Sequence, residues 1–247
     1  PYRDHEICTN PPPSAGGALA SFTLKLMEKY SLSSFGFGSR EHLNALVNAM
    51  MNTSVARADR LDHNIQNQDI IEHFFDQDYL KNIGSKGFKM GSTTHFTVAD
   101  SDMNIASITA STGEGSGFAV PGTGVMLNNM LGEEDLNPKG FHQWEANQRM
   151  TSMMSPTILL KDGKPVLATG SGGTNRIRSI LTQIISNHVD FKMELEQNVN
   201  SPRLHIEGAK LNAEGGFNTE FLQELKTPQA TTLNQWAGNA FFFGGAH

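Results

Sequence analysis

From Thr93 to Ala99 the chain alternates with the two-residue period of a strand, Thr94, Phe96 and Val98 against Thr93, His95 and Thr97. The polar stretch from Asp100 to Asn104 follows, and Ile105, Ser107 and Thr109 then alternate with Ala106, Ile108 and Ala110. The pattern predicts a buried β-hairpin. "SPTILLKDGKPVLATG" (155–170) predicts a second strand–turn–strand, and "HEICT" (5–9) a further strand. Residues 14–82 carry the helical signals: Leu19, Phe22, Leu26 and Tyr30 recur at helical spacing, and Ser39 is placed to cap "REHLNALVNAMMNTSVARADRL". A third helix is predicted around Ile70 to Ile83, before the aperiodic loop "GSKGFKMGS" (84–92). In "TNRIRSILTQIISNHVD" (174–190), Ile177, Ile180, Leu181, Ile184, Ile185, His188 and Val189 share one face, which predicts an amphipathic helix. "AFFFGGAH" (240–247) reads as an apolar strand, and both ends of the chain read as cut from a longer protein.

Composition narrows the classes without choosing a site. The 247 residues are 38% hydrophobic and 18% charged, ordinary for a globular chain able to bury a sizeable core. A net charge of -6 with no basic run disfavours nucleic acid and anionic membrane surfaces as partners. The single Cys8 excludes an intrachain disulfide and a cysteine-based zinc site. No apolar run approaches the ~20 residues of a membrane span. The carboxylates Glu133, Glu134, Asp135 and Asp162 show no ordered metal-ligand spacing, and neither metal nor cofactor is expected.

Candidate chemistry enters at "GSGGTNRI" (170–177), where a strand passes through glycines into a helix. Glycines admit close backbone approach, and the first N–H groups of the helix point outward, so the junction suits developing negative charge. The same glycines also suit a tight turn needing positive φ. A phosphate loop is disfavoured, because the lysine and Ser/Thr of that motif are missing. Arg176 and Arg178 read as solubilising charges, and His95 and His205 as structural groups rather than bases. Met130, Met153 and Met154 read as packing residues.

Six blocks in order resemble the γ-glutamyltranspeptidase family of N-terminal nucleophile hydrolases: "PPPSAGG" (11–17), "FGFGS" (35–39), "TTHFTVAD" (93–100), "PGTGVMLNN" (121–129), "MSPTILLKDGKPVLATGSGG" (154–173) and "NSPRLH" (200–205). The resemblance implies an α+β fold, a four-layer αββα sandwich with two antiparallel sheets between helices. It implies a precursor that cuts itself between Ser92 and Thr93. Residues 1–92 would then end the large subunit and 93–247 form most of the small one, together part of one composite domain. Thr93 would be the catalytic nucleophile, with Gly173 and Thr174 supplying the oxyanion-hole N–H groups. Thr109, Ser111, Glu133 and Ser152 fall where the family binds substrate. The implied activity is transfer of a γ-glutamyl group from an amide such as glutathione to water or an amine. An acylase of the same mechanism on another amide, or a catalytically incomplete fragment or homologue, are the alternatives. The remainder of the large subunit would be its partner, and the compartment periplasmic or secreted. Five positions depart from the family pattern: the second oxyanion-hole glycine is Thr174, a serine is Met153, a glutamine is Met130, an asparagine is Gly113, and the aspartate for the substrate amine matches Glu133 only loosely.

Overall fold

The computed structural model describes residues 1–67, 69–75, 93–225 and 232–247. Its helices are α1 (Gly16–Met27), α2 (Leu32–Phe35), α3 (Arg40–Ala56), α4 (Asp62–Asn64), α5 (Ile70–Phe74), α6 (Arg176–Val189), α7 (Leu195–Asn200) and α8 (Thr219–Glu224). Its strands are β1 (Glu6–Thr9), β2 (Thr93–Ala99), β3 (Ile105–Ser111), β4 (Thr157–Lys161), β5 (Lys164–Thr169), β6 (Leu204–Glu207), β7 (Lys210–Ala213) and β8 (Thr232–Gln235). The fold is mixed α+β. β1, β4 and β5 pair antiparallel, as do β2 and β3, whereas β6–β7 is antiparallel and β7–β8 parallel.

Local chemistry accounts for the helix boundaries. Ser39 accepts a hydrogen bond from the His42 N–H, so α3 starts where the sequence placed its cap. At its far end α3 widens into a π-turn over Arg57–Leu61, closed by the Asp62 N–H donating to the Arg57 carbonyl. α1 ends before Tyr30, which lies on the surface while Leu19, Phe22 and Leu26 are buried. The predicted third helix is seen over Ile70–Phe74; its continuation, the 84–92 loop and Ser92 lie outside the described residues.

Two expectations are corrected. The β2–β3 hairpin is not buried: Phe96, Val98 and Ile108 are exposed, and one residue of β2, His95, is buried. Alternation fixes which side chains share a face, but covering a face requires another layer, and here one side of the ribbon carries none. The terminal "AFFFGGAH" is not a strand; Phe241–Phe243 form a 3₁₀ turn, and Ala246 bridges back to Ser171.

α6 differs from its amphipathic prediction in the opposite sense. Ile177 and Leu181 join a core with α1, α3 and β6–β7, while Ile180, Ile184, Ile185 and Val189 join another with Tyr2, Leu24 and Leu159. Each such side chain contributes about 1.5–3 kcal/mol on burial. The polar side is buried too, because its groups find partners: Gln183 donates to the Leu204 carbonyl at 2.8 Å, and Ser179 bonds His205 at 2.8 Å. Arg176 and Arg178, read as solubilising charges, are 3% and 4% exposed. Both cores draw on residues before and after position 92.

Candidate active site

Strand pairing sets Thr93 opposite Ser111, and the Thr93 hydroxyl donates to the Ser111 Oγ at 3.3 Å. The Ser111 Oγ also accepts from the Gly113 N–H at 2.9 Å, which turns the chain out of β3. Thr109 sits two cross-strand pairs further along, opposite His95, and its hydroxyl lies 2.8 Å from the His95 Nδ1. Thr109 is therefore engaged by His95 rather than by Thr93. Burial and the nearby His247 hold the His95 pKa below the ordinary histidine value.

The glycine turn packs directly on the first residue of β2. A Cβ at Gly172 would collide with the Thr93 carbonyl oxygen, so the absence of a side chain there permits the approach. Gly173 and Thr174 follow with φ of +119° and +52°, turning the chain into α6. The Arg176 and Ile177 N–H groups close onto the Gly173 and Thr174 carbonyls. Among the described residues the N–H groups of Gly173 and Thr174 themselves have no hydrogen-bond partner. They lie just ahead of the Asn175 cap of the 14-residue α6, on the side where the helix dipole favours an anion.

A pocket gathers Thr93, Ser111, Glu133, Ser152 and Thr174 with Met130, Met153, Met154, Leu136 and Ile177. Five of the residues singled out in the sequence thus line one pocket, and the methionines read as packing groups line it too. The Ser152 Oγ accepts from the Met154 N–H at 3.0 Å, while its carbonyl receives the Ala15 N–H at 2.7 Å. Ser14 donates to the Met154 carbonyl at 2.7 Å, which ties the "PPPSAGG" block to this pocket.

Glu133 stands between two 3₁₀ turns, Met130–Gly132 and Glu134–Leu136. The Asn137 side chain pins this acidic loop by donating to the Leu131 and Glu133 carbonyls at 3.0 and 2.6 Å. Burial, then the charges of Asp135 and Glu114, push the Glu133 carboxyl up to about 7. Asp135 is pushed up to about 6, chiefly by burial, against the pull of Arg57. Gly113, at φ +64°, faces the same loop: a Cβ there would strike Glu133 Oε1 and Asn129 Oδ1.

Sequence reasoning missed a polar network behind the turn. Asn175 donates to Glu207 Oε1 at 2.8 Å, Glu207 Oε2 lies 3.0 Å from the His205 Nε2, and Arg57 donates to Asn175 Oδ1 at 2.7 Å. Nothing in "ARADRLD" distinguishes Arg57 from a solvated helix charge; only the packing of α3 beside α6 does so. Among the described residues no group of three or more His, Cys, Asp or Glu is arranged to hold a metal. No helix among them is long and apolar enough to cross a membrane.

Known proteins give this arrangement a lineage. The chain is 32% identical over 262 residues to the glutathione hydrolase proenzyme of Bacillus subtilis (strain 168), covering 91% of this chain and 44% of that protein. It is 31% identical over 240 residues to the acylase ACY 1 proenzyme of Pseudomonas sp. (strain SE83), covering 91% of this chain and 43% of that one. The chain thus spans less than half the length of these curated relatives. Its fold is shared with the crystal structure of cephalosporin acylase from Bacillus halodurans, at a TM-score of 0.77 and 20% identity over 100% of this chain and 47% of the other. The family model described as Gamma-glutamyltranspeptidase matches residues 1–244, and the chain belongs to that family.

Proposed function

We propose that this chain carries the nucleophile of a self-processing amidase that transfers a γ-glutamyl or related acyl group to water or an amine. The observation that carries this reading is the junction of Thr93 with the glycine turn. The Thr93 carbonyl packs on Gly172, and Thr93 shares a pocket with Thr174, whose N–H, like that of Gly173, has no partner among the described residues.

Thr93 needs a base, and cleavage before it creates one on the same residue, an α-amine with an unperturbed pKa of about 7.7–8.0. Before cleavage that nitrogen is an amide and accepts no proton, so the uncut chain is a silent zymogen. In processing, the Thr93 hydroxyl attacks the Ser92 carbonyl, the acyl group moves from nitrogen to oxygen, and water hydrolyses the ester. In turnover, the α-amine takes the hydroxyl proton as Oγ attacks the substrate amide. The Gly173 and Thr174 N–H groups stabilise the oxyanion, and the departing amine takes the proton back. Water or an acceptor amine then releases the acyl group from the ester. Ser111 orients the Thr93 hydroxyl, Glu133 meets the donor's α-ammonium, Ser152 and Thr109 belong to the substrate wall, and no cofactor takes part.

The four-layer αββα sandwich is the arrangement we assign to the complete protein, with residues 1–92 and 93–247 as two subunit parts of one composite domain. β1 of the first part pairs with β4 of the second, which supports division by cleavage rather than by folding. The partner is the remainder of the large subunit, and the compartment is the periplasm or exterior. Glutathione is the reference donor. An acylase on a less polar amide is the second reading, favoured by Met130, Met153, Leu136 and Ile177 around Thr93 and by the ACY 1 relative.

The test is processing. The complete protein runs as two fragments on a denaturing gel, the smaller beginning at Thr93, and Thr93→Ala stays whole. A Thr93→Ala protein still cut at that bond removes the assignment.

A further inference from the structure

Arg57 reaches three separate parts of the molecule. Its Nε donates to both Asp62 carboxylate oxygens, at 3.0 and 3.1 Å, within its own helical segment. Its Nη1 donates to Asn175 Oδ1 at 2.7 Å, and its Nη2 to the Asp135 carbonyl at 2.9 Å. Asn175 directly follows Thr174, and Asp135 lies two residues after Glu133. One planar guanidinium therefore spans the glycine turn and the acidic loop, both of which contribute residues to the Thr93 pocket.

The helix geometry explains how the side chain gets there. An unbroken α-helix would carry residue 57 and its neighbours on with 3.6-residue spacing; the π-turn at Arg57–Leu61 inserts extra chain there instead. Asp62 is thereby brought round to fix the guanidinium plane, leaving both terminal nitrogens for the turn and the loop. Neither acceptor is a surface group: Asn175 is 1% exposed and Asp135 is 7% exposed. Losing Arg57 would leave the Asn175 amide oxygen without that donor and the loop carbonyl free to shift.

We propose that Arg57 is a positioning residue that holds the Gly173–Thr174 turn and the Glu133 loop at a fixed separation; this rests on the reading of Thr93 as nucleophile. Arg57 touches no reacting atom. Its effect is on where the oxyanion donors stand, and a donor misplaced by about 1 Å costs up to roughly a hundredfold in rate. Displacement of such donors lowers kcat while leaving ground-state binding of the donor less affected.

The experiment uses the complete, processed protein and the acyl anilide it turns over best. Arg57→Ala should lower kcat about tenfold to a hundredfold with a smaller change in KM. The side chain borders a cleft of about 320 Å3 with Asp135, Asn175, Arg178 and Glu207, so free guanidinium at non-denaturing concentration should enter and restore part of kcat. Arg57→Lys, which keeps the charge but not the fork, should fall in kcat in the same direction and keep the melting temperature of the parent. Arg57→Ala turning over like the parent overturns the proposal, as does a loss of kcat that tracks a fall in melting temperature and ignores guanidinium. If Arg57→Ala does not fold, Arg57→Lys decides, and parental kcat in that variant overturns it. A parent protein that neither cleaves nor turns over defeats the nucleophile reading itself, which separates the two failures.

Discussion

Helix α6 and the β2–β3 hairpin meet at one pocket and are covered in opposite ways. α6 is buried on nearly every side, its arginines and amides included. The hairpin leaves Phe96, Val98 and Ile108 between 44% and 60% exposed. The proposed nucleophile thus begins the less covered element, and the proposed oxyanion donors immediately precede the more deeply buried one. Donors must not move as charge develops, whereas the residue that first serves as a peptide and then as an amine must change its surroundings.

The comparison breaks most readily on stability. Ile180→Ala should destabilise the protein by about 2–5 kcal/mol, because Ile180 is fully enclosed. Phe96→Ala should stay within about 0.5 kcal/mol. Urea midpoints on the two variants measure both, and equal losses would mean that the hairpin is held as tightly as the helix.

Specificity provides a sharper, smaller test. Met130 and Met153 stand where the family pattern has an amide and a hydroxyl, and both line the pocket. Met130→Gln with Met153→Ser restores two hydrogen bonds of about 0.5–1.5 kcal/mol each, so kcat/KM for a γ-glutamyl anilide should rise roughly ten- to a hundredfold. An unchanged ratio against apolar acyl anilides in a parent that already prefers γ-glutamyl would make the methionines bystanders.

The smallest effect concerns pH. Burial raises the Glu133 carboxyl from 4.5 to about 7, so the folded state binds its proton more tightly than the unfolded chain. The resulting stability is fully present below the unfolded pKa and is lost as pH rises through about 7. Asp135, raised to about 6, acts with the same sign. Melting temperature should therefore decline from pH 5 to pH 8, and Glu133→Gln should flatten part of that slope. The effect is modest because Glu133 keeps contact with solvent.

Much of this was legible in the chain. Two-residue alternation located β2 and β3, the turn chemistry of Asp162 and Gly163 located β4–β5, and Ser39 located the start of α3. Thr93, Ser111, Glu133, Ser152 and Thr174 do share a pocket. Burial was not legible, because periodicity says which residues share a face and not whether another layer covers it. The same limit concealed α6, whose polar face is satisfied by Leu204, His205 and Ser54 from distant segments. Thr109 lies on β3 as the alternation predicts, but the contact of its hydroxyl with His95 was not legible from spacing alone.

The close approach of Gly113 to Glu133 and Asn129 sets an order on change in this lineage. Asparagine tolerates positive φ better than most residues, so the backbone at +64° is no bar to the family's side chain. The bar is volume, since the space a Cβ needs is already held by two neighbouring side-chain oxygens. Gly113→Asn made first must push both side-chain ends aside, whereas the same substitution made after Glu133 and Asn129 have both been shortened meets neither. Positions 113, 129 and 133 are therefore coupled, and a directed-evolution path toward the family pattern is easier when the two larger side chains change first.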